Sequence, residues 1–505
     1  MPIGRRLALA GPAALALATH ARAARAPGRL VMGLSTFPPN LQPWNNAGGA
    51  QATVKQQMFR GLLSYDADAR LRGELAEAWQ RDGDTAWLFR LRAALFHTGA
   101  PVTSADVAWT IAQVAGEKSG AYLRSEFQGV ERVETPDART VRIVMKQPTA
   151  TLPEWLASPH MPIIARDSLD AAGVGVGAGP YRLTAQEKGV GLDFTAFDKF
   201  YRPGRPRTQS LRMTVYADES ARVAALQSGD VDLIEFVPWP AFQAIERNPR
   251  LKLDSSMGPF MDLLFNGRSG PFKDPRLRLA VAFAIRRQEI VDSVFFGRGA
   301  VLGGVPIPPG AAFFEPDLAN GWTYDPARAR ALLAEAGVPD GFACTLLATA
   351  QYGMHKGTAE IVQQHLGEIG IKVALLLPEW GQRVALGNRG QYEFAVFGTT
   401  ADSNDPDGLA PAIDSTLTPG YSRPFGTDVP GLHEAFAEGR AEFDAAKRHA
   451  IYRRMQRLVL DQAPIVSLAW RAQAYAMAAD VSGFRNIVGA LTTYSGITLE
   501  DTVIA

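Results

Sequence analysis

At 505 residues the chain is long enough for two large lobes or about three domains of ~150 residues each. With 47% hydrophobic and 20% charged residues it has the make-up of an ordinary soluble globular protein rather than a disordered or membrane-embedded one. Lys plus Arg number 52 and Asp plus Glu 51, a net charge of +1 that offers no broad basic field to a nucleic acid, and the single cysteine, Cys344, excludes an internal disulfide, an iron–sulfur cluster and a multi-cysteine zinc site.

The first 26 residues differ in texture. Arg5 and Arg6 precede an apolar run over residues 7–18, which leads into two small-x-small sites, Ala21-Arg22-Ala23 and Ala24-Arg25-Ala26. That order predicts a secretory signal peptide over residues 1–26. The run carries Gly11 and Pro12 and falls well short of the ~20 apolar residues that span a bilayer. No Cys lies near the cleavage sites, so the expectation is a freely soluble exported protein and not a lipoprotein. The Arg5-Arg6 pair is compatible with both general and twin-arginine export. The leader holds four Arg and no acid, so its removal takes the net charge from +1 to −3.

Beyond the leader, strand-like and helix-like patterns alternate. Residues 88–95 read as a strand, and Thr103-Ser104-Ala105-Asp106 forms a capping-box pattern ahead of Val107, Ile111 and Val114 at helical spacing. Asp274-Pro275 and Asp325-Pro326 each place an N-cap acid before a proline suited to a first helical turn. A strand over residues 342–349, a helix over 358–369 stopped by Gly370 and a strand over 371–377 make a βαβ unit. Ile451, Met455, Leu458 and Val459 mark a later amphipathic helix closed by Pro464.

Signatures of hydrolases, zinc proteases and phosphate loops are absent. The run Gly173-Val174-Gly175-Val176-Gly177-Ala178-Gly179 leads through Pro180 into a strand pattern rather than a helix, which favours a turn over a phosphate cradle. His355 and His365 stand ten apart, too far to share a metal without a third ligand. The acidic loop Asp402-Ser403-Asn404-Asp405-Pro406-Asp407-Gly408 lacks the ligand pattern of a calcium hand, having Ser403 and Asp414 where the hand needs Asp and Glu. Neither a cofactor nor a metal is expected, and Cys344 reads as a buried small hydrophobe.

Several stretches, in order, resemble one family. They are Phe59-Arg60-Gly61-Leu62-Leu63-Ser64-Tyr65-Asp66, Leu75-Ala76-Glu77-Ala78-Trp79, Phe96-His97-Thr98-Gly99-Ala100-Pro101-Val102-Thr103, Gly179-Pro180-Tyr181, Ala225-Leu226-Gln227-Ser228-Gly229-Asp230-Val231-Asp232, Asp274-Pro275-Arg276-Leu277-Arg278, Tyr324-Asp325-Pro326, and Asp405-Pro406-Asp407. Together they resemble the extracellular solute-binding proteins of the peptide/nickel class, family 5, the receptors of ABC importers. The resemblance implies an α/β fold of the class II periplasmic-binding-protein type, in its large form with an extra subdomain, and a ligand in the cleft between two lobes. Lobe I is expected over residues 27–265, with the subdomain at about 57–190, lobe II over 266–480, and a C-terminal return to lobe I over 481–505. It further implies a monomeric periplasmic receptor without enzymatic activity. That receptor takes a short peptide or peptide-like solute to a permease and ATPase complex in the inner membrane. Opines, oligosaccharides and nickel chelates are the alternative ligands, and a peptide chaperone, a sensor or a hydrolase the alternative roles.

The site residues follow from the same resemblance. Peptide-binding relatives hold the ligand ammonium with an Asp a few residues before the Asp-Pro pair, a position matched by Asp402. Where dipeptide binders carry an Arg for the ligand carboxylate, this chain reads Ala350-Gln351-Tyr352-Gly353-Met354-His355-Lys356, which leaves His355 or Lys356 as substitutes. The segment Phe397-Gly398-Thr399-Thr400 replaces a Gly-Trp pair of many relatives. Trp44, beside Asn45, and Trp380 are large flat surfaces suited to a cleft wall. The expected ligand-contacting set is therefore Trp44, Asn45, Tyr352, Trp380, Phe397, Thr399 and Asp402.

Overall fold

The computed structural model describes residues 28–505, so the expected leader lies outside the described residues. The local rules of the sequence are realised directly. Thr103 and Asp106 close the capping box of helix Ser104–Ala115, with the Thr103 amide donating to Asp106 Oδ2 at 2.9 Å. Asp274 and Asp325 accept from the first-turn amides of Arg276 and Arg328, and Pro275 and Pro326 open the helices Pro275–Ala284 and Pro326–Glu335. The strands Ala343–Leu347 and Lys372–Leu376 pair in parallel across helix Gly353–Gly367, as the βαβ reading requires. That helix begins five residues earlier than its apolar periodicity predicts, Gly353, Met354, His355 and Lys356 forming its first turn.

One large mixed sheet organises the chain. Its first half orders strands Tyr181–Glu187, Gly191–Ala196, Ser210–Val215, Arg29–Leu34 and Leu233–Ile234, and its second half contains Phe394–Thr399, Ala343–Leu347 and Lys372–Leu376. Two long antiparallel strands, Leu251–Phe265 and Ile465–Ala478, join the halves. One end of this pair, Leu251 opposite Ala478 through Met257 opposite Ala472, sits beside the first half. The register then shifts, and Phe260 opposite Trp470 through Leu264 opposite Ile465 serves the second half. The expected lobe boundaries at 265/266 and 480/481 thus fall near the ends of strands that both halves share, since a crossing made of continuous strands leaves no loop to mark it in sequence.

A separate four-stranded antiparallel sheet, Ala76–Asp82, Ala86–Leu91, Thr140–Met145 and Val130–Asp137, carries its own core of Phe89, Leu91, Val107, Ile111, Val141 and Ile143. The glycine run enters the large sheet packed by backbone on helix Gly49–Met58: a side chain at Gly179 would meet the Gln57 carbonyl oxygen at 2.3 Å. After the second crossing strand, a 3₁₀-helical run, Gly489–Asp501, packs on helix Gly49–Met58, with Gln56 and Gln57 donating to the carbonyls of Tyr494 and Gly496 at 3.0 and 2.9 Å. Glu500 in this run and Glu74 share the buried guanidinium of Arg60, which satisfies charges that would be costly alone. Among the described residues no helix is long and apolar enough to cross a membrane.

Candidate ligand-binding site

The site is built where the halves meet. A cavity of about 100 Å³ is walled by Thr36 and residues 46–50 of the first half. The opposite wall is Tyr352, His355, Trp380, residues 397–400 and Asp402 of the second. Arg471 from a crossing strand and Tyr494 from the C-terminal run complete it.

The second-half wall is an aromatic corner. Trp380, at the start of helix Trp380–Asn388, meets Tyr352 and Tyr421 edge to face at 5.4 and 5.7 Å, and Tyr421 meets Phe397 at 5.7 Å. Arg383, one turn along the helix, lies under the rings of Trp380, Phe397 and Tyr421 at 5.8, 5.3 and 5.7 Å and donates to the carbonyls of Tyr421 and Val396. Gly398 keeps this wall thin: a Cβ there would approach Met261 Sδ at 2.8 Å and His355 Nε2 at 3.4 Å.

Asp402 faces the cavity from the loop after strand Phe394–Thr399. Its amide donates to the Gly408 carbonyl at 3.0 Å, and the Tyr494 hydroxyl donates to Oδ1 at 3.3 Å. Although the residue keeps partial exposure, Oδ2 is shielded from solvent and has no protein partner. Burial, with the nearby Glu126 carboxyl adding to it, pushes the acid up to about 7. The rest of the acidic loop is structural: Asp405 caps its turn and pairs with Arg448 at 2.8 Å, and Asp407 pairs with Arg440 at 2.9 Å. Asp407 also joins the two halves across the rim, accepting from Thr151 Oγ1 at 2.8 Å and Trp155 Nε1 at 3.3 Å.

Of the residues expected from sequence, Tyr352, Trp380, Phe397, Thr399 and Asp402 come together on this one cavity. Trp44 and Asn45 do not line it. Trp44 packs between two hydrophobic clusters, 6.1 Å from the Trp109 ring, and donates to the Pro162 carbonyl at 3.1 Å. Asn45 turns its side chain to Gln42 and its carbonyl to the buried Lys55 and His160. The next residue, Asn46, is the one that reaches the cavity. Of the two proposed substitutes for a carboxylate-binding Arg, Lys356 is exposed, near Glu360, and only His355 is in the wall. Burial, reinforced by Arg383 and Arg471, holds His355 well below the ordinary histidine range, so it stands neutral.

Sequence reasoning missed Tyr122, Tyr494 and Arg471. Tyr122 and Tyr494 lie far from Asp402 in the chain and carry no motif. Arg471, inside the apolar strand Ile465–Ala478, was a signal that could have been read, since an arginine in the middle of a fully buried strand needs a reason.

Residues 70–418, more than half of the chain, match the family model of bacterial extracellular solute-binding proteins, family 5. This chain belongs to that family. Among curated family 5 relatives, the glutathione-binding protein GsiB of Escherichia coli O1:K1 / APEC is 26% identical over 95% of this chain and 97% of its own. Its counterpart in Salmonella choleraesuis strain SC-B67 is 27% identical over 88% and 89%. Among solved structures, the PBP AgaA from A. tumefacien R10, in complex with agropinic acid, superposes with a TM-score of 0.90 at 35% identity, covering 95% of this chain and 99% of that one. The periplasmic binding protein DppA of Helicobacter pylori, in complex with the peptide STSA, superposes with a TM-score of 0.85 at 20% identity over 94% and 98%, a likeness of fold. This family 5 chain therefore has the two-lobed periplasmic-binding-protein fold, with the cavity in the cleft between its lobes.

Proposed function

We propose that the chain is a periplasmic receptor that encloses a compact peptide-like solute between its lobes and delivers it to an ABC transporter permease. The observation that carries the ligand class is Asp402: a shielded carboxylate oxygen with no protein partner, ringed by tyrosines, awaits a cationic group. A ligand ammonium would supply the missing partner, and Tyr352, Trp380, Phe397 and Thr399 would enclose what it carries. Glutathione-binding relatives support the peptide branch, and the 35% identity to a binder of agropinic acid supports an opine as the second reading. Both are amino-acid-derived. In this role the protein acts as a monomer, is exported through its leader and catalyses no reaction.

The test is native mass spectrometry of protein purified gently from its host's periplasm, followed by denaturing release of any bound small molecule. Closed lobes slow ligand escape, so the natural solute is expected to co-purify. An amine-bearing peptide or amino-acid conjugate is the expected result, and its chemistry separates the peptide from the opine reading. A neutral sugar or a metal chelate without an amine would overturn the assignment of Asp402.

A further inference from the structure

We infer that Arg471 is the anion-reading residue of the cavity, and hence that the solute carries a carboxylate as well as the amine. This rests on the receptor reading above and adds the second charge of the ligand. The comparison that carries it lies within the protein. Arg60, buried as deeply, is paired with Glu74 and Glu500, and three other buried arginines spend most of their donors on backbone carbonyls. Arg222 gives three such bonds, to Glu235, Tyr216 and Phe236, at 2.7–3.1 Å. Arg278 bonds the carbonyls of Gln462, Ala463 and Phe272, and Arg287 those of Leu302, Ser467, Ala282 and Trp322. These are structural ties.

Arg471 is only 2% exposed, yet among the described residues its guanidinium has one hydrogen-bond partner, the Gln473 side chain, and no acid within ion-pair distance. Its Nε is shielded and unpaired. Of these arginines it alone lines the cavity. A planar fork of donors left open in a dry wall matches a carboxylate, which two parallel N–H groups can engage together. His355, whose own acidity responds to the Arg471 charge, lines the same cavity with its Nδ1 unpaired. With no acid to compensate, burial draws the Arg471 guanidinium down to about 9. Asp402 and Arg471 are not paired with each other; Asp402 feels the Arg423 charge and accepts from Tyr494, whereas Arg471 has no acid within ion-pair distance, so the cavity presents two separated groups of opposite sign. A solute bearing both an ammonium and a carboxylate completes both.

Arg471 also sits where the crossing strands change register, opposite the step between Met257 and Phe260. A ligand held there engages the joint between the lobes as well as their walls.

The test measures affinity of the purified protein for glutathione, agropinic acid, dialanine and trialanine, each as the free acid and as the carboxamide. At least one free acid is expected to bind, with its carboxamide at least 30-fold weaker. In Arg471→Gln that preference should collapse to within threefold, and Arg471→Lys should restore part of it. If Arg471→Gln fails to give a cooperative melt, the wild-type acid-to-amide ratio and Arg471→Lys decide. A probe that binds equally well as acid and amide would overturn the Arg471 assignment and leave the receptor reading standing. No binding by any probe would overturn both.

Discussion

Replacing Asp402 by Asn separates two effects that the cavity geometry combines. Burial pushes the Asp402 acid of the ligand-free protein up to about 7, well above the ordinary aspartate range. An ammonium ligand requires the ionised form, so affinity falls with pH by the protonated share: about twofold at pH 7, about 11-fold at pH 6 and about 100-fold at pH 5. Losing the carboxylate outright removes a desolvated charge pair, about 2–5 kcal/mol, or roughly 30-fold to several thousand-fold in affinity. The effect on the ligand-free protein runs the other way. Because the folded-state pKa lies above the unfolded one, the stability this acid contributes is present below about pH 4 and is lost as pH rises through about 7. At pH 8 the buried charge costs on the order of 4 kcal/mol, which Asn avoids. Asp402→Asn should therefore bind weakly at every pH while melting higher than wild type at pH 8, with the gap closing toward pH 4. Calorimetric titration with the released solute and thermal melts at pH 4–8 give both readings. Binding by Asp402→Asn within threefold of wild type, or wild-type affinity that is flat between pH 5 and 7.5, would refute the anchor.

Three further substitutions probe the surroundings. Trp44→Phe loses the bond to the Pro162 carbonyl and should cost about 0.5–1.5 kcal/mol in denaturant titrations, with ligand affinity within twofold of wild type. Gly398→Ala pushes a methyl against Met261 and His355, and should lower stability by about 1–3 kcal/mol and weaken binding, read by thermal shift with and without ligand. Thr151→Val removes one of the rim contacts to Asp407, and stopped-flow release should show faster ligand loss with little change in the melting temperature of the ligand-free protein.

Much of the fold was legible because its signals are local. The capping box at Thr103 and the Asp-Pro starts at 274 and 325 depend on a few adjacent residues, and each is realised as read. The C-terminal return over 481–505 was expected only from the family resemblance, and the 3₁₀ form of Gly489–Asp501 was not read, because its structure answers to helix Gly49–Met58 more than 400 residues away. The same division holds at the site. Asp402, Trp380 and Tyr352 stand in segments that a family resemblance could align, and they meet on one wall. Trp44 misled because loop composition reports turn chemistry but not which ring is pinned beneath. Arg471 and Tyr494 join the cavity only through the strand crossing and the C-terminal return, neither of which leaves a short-range pattern.

That crossing has a mechanical meaning. The two long strands are paired on either side of the step from Met257 to Phe260, and within it Pro259 has no amide to offer. At Gly258 even a Cβ is excluded, since the backbone of Gly489 would lie 2.2 Å from it. On its other edge the strand Ile465–Ala478 is held at this step by strand Gly299–Val301, whose residues pair with Arg471, Trp470 and Ala469, so the joint keeps a ladder where the two long strands lose theirs. Contacts between the halves add to it: Thr151 and Trp155 on Asp407, the Ala150 amide on the Arg440 carbonyl, Ser125 with Thr418 and the Gly353 amide on Glu219, together with whatever fills the cleft. Residues at the rim, remote from any solute, can thus be exchanged to move the balance between open and shut while the sheet and the recognition chemistry stay as they are.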